Sequence, residues 1–374
     1  MPRSARIVRY RAWTIILLAL GTGSVAHAER KAFPQGVYES AGGVRMAGDD
    51  VVARTPLIPG QEGVLVRAGW NLCGDDQTCL LDTIAINLES ARIRGLKVAL
   101  AIGDGDHAPP QTKARCTLFP FEFRGEPATM CLPWDNAYLD DKTQLIAALG
   151  ERFDDHPALA HVYFTAACST NGYEGHCRID QAQYQVAGYT PEGFDAAYVE
   201  ILLAYLAAFP DTPITIELHT IFDRSETWSA LWEIGQVDQR VGLAAWWCSE
   251  RLSLRGTDTV PVWPLIQQAA QGSYAICQTV GNFSQQPYRF SDSQLLPPLD
   301  YGSEGDWDLS DVIRAFDDTA AWISGNAVHV GQPSTIVPFA AVEVWSEDLR
   351  NPAFQPQLER LLDADPLFRS GFEP

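Results

Sequence analysis

Lysine is nearly missing from this chain. Four lysines stand among 374 residues, and 27 lysines and arginines in all face 47 aspartates and glutamates, for a formal net charge of −20. No basic run occurs beyond the first eleven positions. Nucleic-acid binding needs phosphate neutralisation, so nucleic acid is not an expected partner. An acidic surface suits neutral or cationic ligands better than polyanions. Internal repeats and low-complexity tracts are lacking. With 46% hydrophobic residues, 29 glycines and 24 prolines, the composition is globular. That excludes disordered, collagenous and coiled-coil classes. Several signatures are also lacking: G-x-G-x-x-G, a Walker loop, H-E-x-x-H, G-x-S-x-G, H-x-H and C-x-x-C. Dinucleotide binding, the common metallohydrolases, serine hydrolases of the elbow type and zinc ribbons lose their usual marks.

Only one long apolar stretch is present, and it sits at the N-terminus. Arg3, Arg6, Arg9 and Arg11 precede the apolar run Trp13–Leu20, and Ala26-His27-Ala28 offers a small-x-small cleavage site. The run is too short to span a bilayer. Residues 1–28 therefore read as a secretory signal peptide, and residues 29–374 as one domain. Removing the four arginines takes the formal charge from −20 to −24. The expected location is secreted or periplasmic, with no membrane association after cleavage. All eight cysteines lie in the mature part: Cys73, Cys79, Cys116, Cys131, Cys168, Cys177, Cys248 and Cys277. An even count in an oxidising compartment points to disulfides. Sequence order suggests 73–79, 116–131, 168–177 and 248–277, with free structural thiols as the alternative.

Short β-rich runs alternate with helical patterns along the chain. Strands are expected at Gly63–Trp70, Leu96–Ile102, His161–Ala167, Pro213–Thr220, Val241–Trp247, Ser273–Gln278 and Phe339–Trp345, with an eighth near Gly36–Glu39. Helices are expected at Leu80–Arg94, Ala137–Phe153, Pro191–Phe209, Ser229–Val237, Val262–Gln271 and Leu309–Ser324. The segment from Gly103 to about Trp134 reads as a loop. Eight βα units in this length specify an α/β fold, a (β/α)8 TIM barrel with disulfide-stapled loop insertions. An open doubly wound sheet would show a phosphate loop after its first strand. A barrel places its active site at the C-terminal ends of the strands.

Strand residues alternate faces, so one set from each strand points into the barrel. In PITIELHT that set is Thr215, Glu217 and His219. In FAAVEVW it is Ala341, Glu343 and Trp345. In GVLVRAGWN it is Arg67, Gly69 and Asn71. A lone buried arginine is costly, so Arg67 needs a carboxylate, and Glu217 and Glu343 are the candidates. After HVYFTAA comes a cysteine-bounded loop that presents Asn171, Glu174 and His176. Paired carboxylates across a pocket are what glycosidic bond cleavage requires. Trp70, Trp246, Trp247 and Trp345 fall at strand ends, where indole faces can stack on sugar rings. A metal site at Asp104, Asp106, His107 and His219 is a competing reading, and so is an Asp-capped turn at Asp104.

GVLVRAGW, the stretch from Pro133 to Phe164, and FAAVEVW together resemble the (β/α)8 glycoside hydrolases of clan A, the cellulase and β-galactosidase type. GVLVRAGW resembles that clan's second strand, with Arg67 in place of its arginine beneath the nucleophile. Trp345 would match the aromatic floor of the sugar subsite. The likeness spans about residues 60–345. It implies a carbohydrate substrate, no cofactor and no metal, with Glu174 as general acid/base. Glu217 would be the second carboxylate and Glu343 the alternate. Arg67 would orient that carboxylate, and Asn171 and His219 would contact sugar hydroxyls. Two departures stand out. The clan's Asn-Glu dipeptide is missing, since Asn171 and Glu174 are separated by two residues. The nucleophile at the end of the seventh strand falls near Gln278, and glutamine cannot attack an anomeric carbon. A glycan-binding barrel without catalysis is the second reading, and a metal-dependent secreted hydrolase the third.

Overall fold

The β-rich runs become parallel strands that close on themselves. A computed structural model describes residues 30–40, 42–175, 180–222, 224–248, 262–279, 339–356 and 358–359. The segment read as a signal peptide, His176, Cys177 and the helix expected at Leu309–Ser324 lie outside the described residues. So do the side chains of Trp247 and Cys248, although their backbone belongs to a strand.

Eight strands form a closed barrel: β1 (Gly36–Ser40), β2 (Gln61–Gly69), β3 (Lys97–Gly103), β6 (Leu159–Phe164), β7 (Ile214–Glu217), β8 (Val241–Cys248), β9 (Ala275–Thr279) and β10 (Ala341–Trp345). Every neighbouring pair is parallel, and β10 returns to pair with β1. The fold is a (β/α)8 TIM barrel, as the alternation of strands and helices implies. The remaining strands, β4 (Leu118–Phe123) and β5 (Glu126–Cys131), pair antiparallel outside the barrel. That hairpin, a short helix α3 (Pro110–Arg115) and a single turn at Gly105–His107 occupy the segment expected to be loop. The Phe-rich strand LFPFEF has no neighbours in the barrel to reveal it, so its pairing is local.

Local chemistry sets the helix ends. Asp76 caps α2 (Gln77–Arg94) by accepting from the Cys79 amide, and Gly95 ends it in the left-handed conformation at φ 69°. Asp135 caps α4 (Asn136–Phe153) by accepting from the Ala137 and Tyr138 amides. Thr190 caps α6 (Pro191–Ala208), which begins on Pro191. The main core lies between the strands and these helices. A second cluster fills the barrel itself: Tyr38, Leu65, Ala99, Ala101, Tyr163, Ala244, Trp246, Tyr274 and Ile276 among others. Large aromatic rings there sit against alanine or glycine. A Cβ on Gly242 would fall 2.3 Å from the Tyr274 ring, so that pair packs only with glycine.

Two of the expected disulfides are formed, Cys73–Cys79 and Cys116–Cys131. Cys168 and Cys277 are disulfide-bonded as well. The cysteines paired with them by sequence order, Cys177 and Cys248, lie outside the described side chains. The strand expected at Pro213–Thr220 is shorter, because the chain leaves the ladder after Glu217. Leu218 makes one more bond, from its amide to the Ala244 carbonyl.

Candidate active site

The inward sets read from alternation converge at the C-terminal end of the barrel. β2 delivers Arg67, β6 delivers Tyr163, β7 delivers Glu217, β9 delivers Gln278 and β10 delivers Glu343 and Trp345. Glu343 and Gln278 are register partners on adjacent strands. Gln278 Nε2 donates to Glu343 Oε2 at 2.5 Å, and the Tyr163 hydroxyl donates to Glu343 Oε1 at 2.7 Å. Burial pushes the Glu343 carboxyl up to about 7, against the opposing pull of these two donors and of Arg67.

Arg67 is half-buried beside this carboxylate. Its Nη2 donates to Ser40 Oγ at 3.3 Å, and its guanidinium lies 5.3 Å from the Trp345 ring centre. Burial draws the guanidinium below its ordinary value, and Glu343, Tyr173, Glu174 and Tyr163 oppose that shift. Of the two barrel carboxylates weighed as partners for Arg67, Glu343 is the one that acts electrostatically on its guanidinium, and Glu174 does so from the loop after β6. Trp345 is itself fixed, since its Nε1 donates to the Thr279 carbonyl at 2.9 Å.

Glu174 and Asn171 meet, within their own loop. Asn171 Nδ2 donates to Glu174 Oε1 at 2.8 Å, and Asn171 Oδ1 accepts from the Tyr173 and Glu174 amides at 3.0 and 3.3 Å. The Asn171 amide thus orients Glu174. Glu217 holds the same loop from below. Its Oε2 accepts from the Gly175 amide at 2.6 Å, and its Oε1 lies 2.5 Å from His219 Nδ1.

The tryptophans do not form one wall. Trp70 is buried in the layer between strands and helices, 6.4 Å from the Tyr138 ring and 5.5 Å from Lys142 Nζ. Trp246 is inside the barrel, edge-on to Tyr163 at 5.2 Å and 1% exposed. Among the three whose side chains are described, Trp345 is the partly open one. The metal reading does not assemble. Asp104 pairs with Lys142 at 2.6 Å, Asp106 pairs with Lys113 at 2.8 Å, and His107 packs on Tyr173. Among the described residues no group of three or more His, Cys, Asp or Glu is placed to hold a metal ion.

Sequence reasoning passed over Tyr163, Tyr173 and Ser40. Tyr163 was findable, because it shares a strand face with His161 and Thr165 in HVYFTAA and so points inward by alternation. Nothing in the sequence marked Tyr173 or Ser40.

No protein-family model and no curated protein matches the chain. Solved structures do. A glycoside hydrolase aligns over 90% of this chain and 100% of its own, with a TM-score of 0.50 at 12% identity. GH5_18 from Streptomyces cattleya, in complex with GlcNAc, aligns over 92% of this chain and 82% of its own, with a TM-score of 0.48 at 13% identity. Endo-glycoceramidase II from Rhodococcus sp. aligns over 86% and 75%, with a TM-score of 0.48 at 12% identity. At such identities the likeness is one of architecture, and it is the first of these that carries it: the chain has the (β/α)8 barrel fold that a solved glycoside hydrolase also has.

Proposed function

We propose that the protein is a secreted glycoside hydrolase, a single barrel domain behind a signal peptide, acting on a neutral or weakly charged glycan. The observation that carries this reading is the group around Arg67: Glu343 with a donor on each oxygen, Glu174 within electrostatic reach of the same guanidinium, and Trp345 against it. Glycosidic cleavage needs one carboxyl to protonate the leaving oxygen and a second to act as nucleophile or to activate water. Glu174 takes the first role, on a loop that Asn171 and Glu217 hold. Glu343 takes the second, in preference to Glu217, because two donors and a guanidinium surround its acceptor oxygens. Glu217, engaged with Gly175 and His219, supports the loop. Arg67 holds the Glu343 carboxylate, and Trp345 offers its indole to a sugar ring.

The test is reducing-end release from a panel of plant and microbial polysaccharides. Wild type is run beside Glu174→Gln, Glu343→Gln and Glu217→Gln. Release should fall at least ~1,000-fold in the first two, in keeping with loss of a carboxylate required by the chemistry. The kcat/KM of wild type should follow a bell-shaped pH profile, rising as Glu343 loses its proton through about 7 and falling where Glu174 loses the proton it must donate. Release that survives Glu343→Gln moves the chemistry elsewhere.

A second reading rests on Gln278. It occupies the end of the seventh barrel strand, and its amide is bonded to Glu343. With no carboxylate at that position, a barrel that binds glycan without cleaving it would give the same architecture. Glycan binding by calorimetry without any reducing-end release would select it.

A further inference from the structure

Beneath the loop that carries Glu174 lies a buried polar group with no part in the chemistry above. Asp104 at the end of β3 and Lys142 on α4 form an ion pair at 2.6 Å, and both side chains are fully buried. Asp104 Oδ2 also accepts from the Tyr138 hydroxyl at 2.9 Å, and its Oδ1 accepts from the Gly105 amide at 2.7 Å. Tyr138 and Lys142 are four residues apart on α4 and so project from one face. Lys142 Nζ reaches Thr165 Oγ1 at 3.1 Å, and that hydroxyl donates to the Ile102 carbonyl at 2.7 Å.

The side-chain bonds of this group go to the segment between β6 and Glu174, or to the β3 end beside it. The Tyr138 hydroxyl accepts from the Ala167 amide at 2.8 Å. The Asp104 amide donates to the Gly172 carbonyl at 2.8 Å. Backbone contact closes the rest. A Cβ on Gly105 would fall 2.5 Å from the Cys168 carbonyl oxygen, and one on Gly172, at φ +80°, would fall 2.3 Å from the Asp104 carbonyl oxygen. The loop is thus seated on the β3 end at Ala167, Cys168 and Gly172, and Asn171 and Glu174 follow from that seat.

A buried ion pair is a poor source of stability, since desolvation offsets its attraction, and apolar residues of like volume do as well or better. Its use here is geometric. We propose that Asp104, Tyr138 and Lys142 are positioning residues that set the loop bearing Glu174 over the barrel mouth. The catalytic consequence rests on the reading of Glu174 given above; the seating of the loop does not.

The test uses the full-length secreted chain with Tyr138→Phe and Lys142→Met. Hydrogen exchange by mass spectrometry is followed at residues 167–175 and, as a control, in β2 and β3. Tyr138→Phe removes one hydroxyl and keeps the ring. Exchange at 167–175 should rise about tenfold, the effect of losing the one of the hydroxyl's two bonds that holds the loop, from the Ala167 amide, with β2 and β3 unchanged. On a glycan that wild type cleaves, kcat should fall between about tenfold and a hundredfold while KM stays within about twofold, because a misplaced acid loses rate before it loses binding. Exchange at 167–175 that matches wild type, or a rise spread evenly over the barrel, overturns the proposal and leaves the group as core packing. If Lys142→Met does not fold, Tyr138→Phe decides alone. If wild type cleaves no glycan, the hydrolase reading fails, while exchange still decides whether the group seats the loop.

Discussion

Glu343 would bear on both stability and the proposed activity. Its carboxyl stands at about 7 in the folded chain against an ordinary 4.5. The folded state therefore holds a proton that the unfolded state has given up, between those two values. Stability from this group is complete below about pH 4.5 and is lost as pH rises through about 7. The difference amounts to about 3 kcal/mol. Glu343→Gln removes the titration, and the Gln278 amide can rotate to present its oxygen to the new amide. The variant's unfolding free energy relative to wild type should thus gain about 3 kcal/mol between pH 4.5 and pH 8, measured by urea unfolding at both. A difference that stays flat with pH would mean that Glu343 is ionised in the fold at no cost. Alternation placed Arg67, Glu217 and Glu343 inside the barrel from sequence alone. It could not say which carboxylate meets Arg67, because that depends on closure. With β10 returned beside β1, Glu343 sits two strands from Arg67 and Glu217 sits three strands away. Trp70 is misplaced by its position at a strand end and not by its parity: it shares a face by alternation with Val64, Val66 and Ala68, and its ring packs with them outside the barrel.

Among elements, those held by long-range pairing were the legible ones. Buried parallel strands need β-rich apolar runs, and their helices need a cap at each end, so both leave marks in sequence. The β4–β5 hairpin left none of that kind, since its strands pair only with each other. What fixes it is covalent and local. Cys116 and Cys131 are bonded across a separation of 15 residues, and the base pair of the hairpin is Leu118 with Cys131. Its inner side is not loose. Phe119 and Met130 are buried, and Phe119 meets Tyr184 edge-on at 4.9 Å. The hairpin therefore unfolds with the barrel rather than ahead of it. Replacing Cys116 and Cys131 together by alanine should cost about 3 kcal/mol in unfolding free energy, the loop-closure value for this separation. Thermal unfolding should remain a single transition at a lower midpoint. Two transitions, the first confined to the hairpin by exchange, would show that the disulfide holds an independent unit.

At the scale of the whole molecule, charge would select among the glycans of the proposed reaction before any pocket does. The formal charge is −20 over the full chain, and four arginines belong to the segment read as a leader. The field of such a surface repels a polyanionic polymer over the Debye length, about 30 Å at 0.01 M salt and about 3 Å at 1 M. A neutral glycan feels none of it. Inside the candidate site, Glu343 and Glu174 are both among the groups that act electrostatically on Arg67. The same acidic balance that argues against nucleic acid therefore argues against sulfated and uronate-rich polymers as substrates. Measured across that range of salt, KM for a cleaved neutral glycan should change by less than about twofold. A sulfated or uronate derivative of the same glycan should show a KM that is much higher at low salt and falls steeply as salt rises. A polyanionic glycan whose KM is lowest at low salt would require a cationic surface near the barrel mouth, and the reading of the charge would then have to give way to it.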